Sequence, residues 1–161
     1  MALMDEAVQA VVDAAGWKKP ESSRDGACHF HLKGDLDFSL FSPDGRTCIM
    51  RGTVAELPSD NMQRDDLLKD VSKRQVAVCR KRPSVLTVEQ AGQSLMASDD
   101  GKDKLLLFRQ IRLEAGQYEA VKIAVKEFLN DLAWWKASLG TRQNSSASFF
   151  SMQSMFPGGG F

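Results

Sequence analysis

With 161 residues, 43% of them hydrophobic, the chain has the size and apolar content of one domain with its own core. Lys plus Arg equal Asp plus Glu at 21 each. That zero net charge excludes a global field drawing the chain to nucleic acid or an anionic membrane. No apolar run approaches the roughly 20 residues that cross a bilayer, and Met1-Ala-Leu-Met-Asp-Glu6 is acidic and amphipathic, unlike a secretory signal. The cysteines Cys28, Cys48 and Cys79 are odd in number and unpatterned, which fits reduced thiols in a cytosolic protein.

Residues 3–16 read as a short helix: Met4, Val8, Val11, Val12 and Ala15 recur at helical spacing, Asp5 and Glu6 favour the first turn, and Gly16 follows the end. A polar loop leads to a β region. Phe30 and Leu32 alternate with His29 and His31, and Leu36, Phe38 and Leu40 alternate with Asp35, Asp37 and Ser39. Ser42-Pro43-Asp44-Gly45 is a turn in which Pro presets φ and Gly permits positive φ, and Thr47 to Val54 forms the return strand. Ser59-Asp60 then offers a cap to a helix over 61–80, with Leu67, Leu68, Val71, Val78 and Cys79 as its apolar positions and Pro83 beyond its basic end.

Val85 to Gln90 is a strand, Ser94 to Ser98 another or its continuation, and Leu105, Leu107, Ile111 and Leu113 mark the last by alternation around the turn at Asp99–Lys102. Tyr118, Val121, Val125, Phe128, Leu132, Trp135 and Leu139 then form one sustained helical stripe, which Gly140 ends. Residues 141–161, rich in Ser, Gly and Gln but with scattered Phe and Met, read as a disordered tail after a folded domain of residues 1–140. The order α-β-β-β-α-β-β(-β)-α is an α+β layout, a twisted antiparallel sheet with three helices packed on it.

Reactive chemistry finds little support. His29 and His31 share one strand face with Cys28 on the other, but no later Cys or His pair completes a zinc site, so no metal is expected. No further histidine could activate a serine or cysteine, and no phosphate loop, dinucleotide fingerprint or nucleophile elbow occurs. The reading is a protein that is not an enzyme and needs no cofactor. The basic run Arg80-Lys81-Arg82 complements a helix end and lacks the interleaved aromatics of a nucleic-acid module.

Three stretches carry a resemblance: Ser84-Val-Leu-Thr-Val-Glu-Gln-Ala-Gly-Gln-Ser-Leu-Met96; Leu105-Leu-Leu-Phe-Arg-Gln-Ile-Arg-Leu113; and Val125 to Leu139, with its aromatics near the end. With Leu57-Pro58 before the second helix, and over residues 3–139, the chain resembles the class I type III secretion chaperones, the Tir chaperone family. The resemblance implies a homodimer in the bacterial cytoplasm. It would hold the N-terminal segment of a secreted effector soluble and secretion-competent without ATP, a role that allows contact with the secretion-apparatus ATPase and needs neither nucleic acid nor membrane. It implies a dimer interface along the second helix and following strands, here Leu68, Val71, Cys79, Leu86, Val88 and Leu95. The effector-binding site is expected on the first helix and the first three strands, with Phe30, Leu32, Phe38, Leu40, Cys48 and Met50 as its residues. Alternation equally allows these six to face the core. The alternative is a YbjN-like regulatory or sensory binding domain with no secretion role.

Overall fold

The computed structural model describes residues 2–20, 23, 26–92 and 101–145, the last five as backbone only. Three helices and five strands follow in the order α1 (Leu3–Ala15), β1 (Cys28–Leu32), β2 (Leu36–Phe41), β3 (Thr47–Glu56), α2 (Asn61–Val78), β4 (Val85–Glu89), β5 (Lys104–Arg112) and α3 (Glu119–Ser145). The α+β layout expected from the sequence is the one observed. The proposed extra strand over 94–98, Leu95 and the Asp99-Asp100 half of the turn lie outside the described residues, as does the tail from 146.

The strands form one antiparallel sheet in the order β1-β2-β3-β5-β4. Two tight connections fix the first three strands. At the β2–β3 turn the Asp44 carboxylate accepts the amides of Arg46 (2.9 Å) and Thr47 (2.7 Å), which pulls its pKa below the ordinary carboxylate value. The β1–β2 turn carries Gly34 and Asp35 at positive φ, and Lys136 of α3 donates to the Asp35 carbonyl. Because α2 and β4 are inserted before β5 returns beside β3, β4 becomes the far edge. A bulge between Thr53 and Ala55 shifts the β3–β5 register.

Pairing sets the faces. Phe30 lies opposite Phe38, Phe38 opposite Gly52, and Leu40 opposite Met50, so these side chains share the inner face with Cys28, Cys48, Val54, Leu105 and Leu107. Helix α3 covers that face with Val121, Ala124, Val125, Phe128, Leu132, Trp135 and Leu139, all buried. A Cβ at Gly52 would meet Leu132 Cδ2 at 2.9 Å and the Asp37 carbonyl at 3.2 Å, so glycine there lets the helix sit close. Helix α1 packs alongside α3 through Ala7, Val8, Val11 and Val12, and Tyr118 donates to the Glu6 carboxylate across the pair.

Helix α3 corrects the expectation that Gly140 ends it: the helix runs on to Ser145. Glycine inside a helix costs only about 1 kcal/mol relative to alanine. Gly140 is absent from the positive-φ residues, and buried Leu139 anchors the turn before it. Residues 141–145, read from the sequence as the start of a tail, are helical.

Candidate protein-binding surfaces

The inner face decides the fate of the six expected effector contacts. Phe30, Phe38, Leu40, Cys48 and Met50 are all buried in the core, and only Leu32 is half-buried against it. Trp17 closes over them: its ring lies 5.5 Å from Phe30 and 6.0 Å from Phe38, Phe30 stacks on Phe38 at 4.9 Å, and Phe38 meets Phe128 at 6.2 Å. Strand alternation put these side chains on one face, and α1 and α3 pack on that face. The side chains of five of the six are thus buried within this protomer. Burial, with Cys28 beside it, pushes the Cys48 thiol up to about 12, so it behaves as a small hydrophobe.

The outer face is built differently. Here His29, His31, Asp37, Ser39, Arg51 and Glu89 line a shallow hollow of about 120 Å³. His31 Nδ1 lies 2.8 Å from Asp37 Oδ1, and an Arg51–Glu89 ion pair spans β3 to β4 above Leu106. The Arg51 guanidinium also lies 5.9 Å from the Phe41 ring centroid. Among the described residues, no group of three or more His, Cys, Asp or Glu is placed to hold a metal ion. The edge strand β1 bounds this face on one side, and Phe30 to Leu32 run along that edge.

At the opposite edge, α2 and β4 form a surface with little cover. Helix α2 begins well: the Asp60 side chain accepts the Gln63 amide at 3.1 Å, as the sequence suggested. Of its 18 residues only Val71 is buried, with Leu67, Leu68 and Val78 half-buried beside it. Met62 and Val76 are 74% and 75% exposed. At 100° per residue they share one face of the helix, opposite Val71. On β4, Val85 is 48% and Val88 37% exposed, although Val88 lies on the sheet's inner face opposite Leu105. Of the expected interface residues, then, Val71 serves this chain's own core, Leu68 and Leu86 are half-buried, and Cys79 and Val88 are open to solvent.

Two polar devices that sequence reasoning passed over hold this region in place. Arg82 donates to buried Asp131 at 3.0 Å and lies 4.6 Å over the Trp134 ring, while the second Asp131 oxygen takes the Ser84 amide at 3.4 Å. This ties the start of β4 to α3. Asp103 accepts the Ala91 amide at 2.8 Å and pairs with Arg64 of α2, which together lower its pKa. On β4 itself the Leu86 amide is taken by Gln75 of α2 at 3.1 Å, so that edge is partly closed. The sequence signal for the first device was an aspartate on the apolar stripe side of α3; nothing local marks Arg82 as its partner 49 residues away.

A third surface lies between α1 and α3. Val11, Ala14, Ala15, Trp17, Val125 and Leu129 line a groove of about 350 Å³, with Lys122, Lys126 and Asn130 at its rim. Small residues at Ala14 and Ala15 leave the gap between the helices open. No described helix is long and apolar enough to cross a membrane.

No family profile matches the chain, and no curated protein matches it in sequence. Solved structures do. The chain is similar to the HopA1–SchA chaperone–effector complex (10% identity, TM-score 0.54, covering 84% of this chain and 94% of that one). It is similar to the Yersinia pestis type III secretion chaperone SycH in complex with a fragment of YscM2 (10%, TM-score 0.50, 81% and 97%). It is also similar to YbjN from E. coli (14%, TM-score 0.60, 86% and 92%). At these identities the likeness establishes the fold alone, one that the type III secretion chaperone SycH, the HopA1–SchA complex and YbjN share.

Proposed function

We propose that this chain is a cytoplasmic type III secretion chaperone that binds the N-terminal segment of a secreted effector, without ATP and without catalysis. The observation that carries this reading is a chaperone fold whose second helix keeps one buried residue in 18. Helices of this length draw most of their stability from a packed apolar face, so α2 calls for a second surface. A second copy supplies it: α2 and β4 form a homodimer interface through Leu68, Cys79, Leu86, Val88 and the exposed Met62 and Val76. Leu95 belongs to the same stretch of sequence. An obligate interface of this kind buries on the order of 2,000 Å².

The effector segment lies on the other half of the protomer. An extended segment pairs with the sheet edge at Phe30–Leu32 of β1, where main-chain hydrogen bonds give affinity and side-chain pockets give specificity. The six residues first expected to touch it act from beneath, as the packed floor that holds β1 to β3 in register, with Leu32 alone at the margin. The secretion-apparatus ATPase is a further partner in this reading.

The test is recovery of tagged full-length protein from its native bacterium. The expected result is a dimer carrying a secreted effector, released when the N-terminal segment of that effector is deleted. A chain that is a dimer with no secreted protein attached would favour the second reading, a regulatory or sensory binding domain, which the likeness to YbjN supports.

A further inference from the structure

We infer that the α1–α3 groove is a binding site for this chain's own C-terminal segment, residues 152–156. Phe149, Phe150, Met152, Met155 and Phe156 place five large apolar side chains in eight residues, and no charged side chain follows Arg142. Segments that stay solvated are poor in aromatics, because water penalises them. A stretch like this is built to bury, and methionine suits an irregular cleft because its side chain adapts to shape.

The groove has the matching chemistry. Its floor is Val11, Ala14, Ala15, Trp17, Val125 and Leu129, all apolar, and its width comes from the two alanines. The lysines at the rim, Lys122 and Lys126, can lay their methylene stems over an uncharged occupant while their ammonium groups stay in water. The same helix supplies both the groove wall and the root of the segment. From Ser145 back to Asn130 is 15 residues, or ~22 Å of helix rise. The eleven residues 146–156 reach up to ~36 Å when extended. When extended, Met152 can come level with Leu129 and Asn130, and Met155 and Phe156 can reach Lys126 and Val125. Between the helix end and the groove, Ala137, Ala133 and Asn130 are exposed along α3.

Such a segment is an internal ligand. Its effective concentration is set by the tether, on the order of millimolar, so weak contacts suffice to keep it seated. The seat holds independently of any role in secretion, and a partner that needs the groove must displace it.

The experiment is chymotrypsin cleavage of the full-length protein, compared with full-length Ala14→Trp, which fills the groove from an exposed helical position. Cleavage after Phe150, Met152 and Met155, beside or within the seated stretch, should be about tenfold faster in Ala14→Trp, with the wild-type rate unchanged across protein concentration. Equal rates in the two proteins would overturn the inference and leave the groove to another occupant. Protection that grows with concentration would overturn it in favour of a second copy's segment. Should Ala14→Trp lose helical circular dichroism, a second variant decides: Ala14→Cys with Met155→Cys in a Cys79→Ser background. Intramolecular disulfide formation at high dilution supports the seat, and its absence refutes it.

Discussion

The two sides of the inner sheet face are covered unequally. Under α1 and α3, the strands β1 to β3 meet a dense aromatic cluster in which Trp17, Phe30, Phe38 and Phe128 touch in series. Beside α2, the end of β4 leaves Val88 exposed on the same face of the same sheet, and the helix buries one residue of its own. Among the described residues, one half of the inner face is thus covered and the other half carries less cover. The difference teaches where to look for partners: a face already filled is a stability element, whatever its hydrophobic pattern, and the half-filled one is where a second chain gains most.

The largest effect expected from this contrast is on the closed side. Phe38→Ala removes a ring that contacts Phe30, Trp17 and Phe128, and should cost about 3–5 kcal/mol of stability. Thermal unfolding should show a large fall in Tm with assembly state unchanged below the transition. A small change in Tm would mean that the inner face is a groove and not a core.

On the open side the opposite separation is expected. Val76→Asp and Val88→Asp place charge on residues that are already exposed in the protomer, so the protomer fold should survive. In a dimer the same charges would be buried without partners, costing about 2–3 kcal/mol of association, or roughly 30–150-fold in Kd. Light scattering should find monomers of unchanged circular dichroism. A variant that stays dimeric at micromolar concentration would remove α2 and β4 from the interface.

Between the two halves stands Asp131. It holds Arg82 and the Ser84 amide, so Asp131→Ala leaves a half-buried guanidinium and a buried N–H without their acceptor. A loss of about 1–3 kcal/mol follows. Because the contact sets where β4 begins, this variant should weaken both unfolding stability and dimerisation. Loss of stability alone would mean that the clamp serves only the closed half.

How much of this was legible beforehand follows from the range of each interaction. Helix and strand spans were readable because period 3.6 and period 2 are local, and so were the Asp44 turn and the Asp60 cap, each formed within three residues. The direction in which Phe30 and Met50 face was legible only as a shared side. Whether that side meets helices or a partner depends on α3, some 70 residues on, and alternation carries no trace of it. Val71, which the resemblance places at the dimer interface, is buried in the protomer, and the sparse apolar positions of α2 do not distinguish the two. Arg82–Asp131 and Arg64–Asp103 were out of reach because an ion pair joining residues 49 or 39 apart leaves no spacing to read.

The smallest effect concerns pH, and it tests whether the open half is fastened to the sheet by charge. The Ala91 amide and the Arg64 guanidinium hold the Asp103 carboxyl below its ordinary value, so the folded state favours the ionised form more than the unfolded chain does. The sign follows: the contribution is present above the ordinary carboxylate range and is lost as pH falls through the lowered folded-state value. Asp103→Asn lacks that titration. Its urea midpoint should lie below the wild type near neutral pH, and the gap should narrow as pH is lowered toward about 3. Asp44, whose pKa is also lowered, titrates in both proteins and so cancels in the difference. A gap that stays constant across this range would show that Asp103 contributes through hydrogen-bond geometry alone. The pinning of α2 to the β4–β5 connection would then be independent of charge.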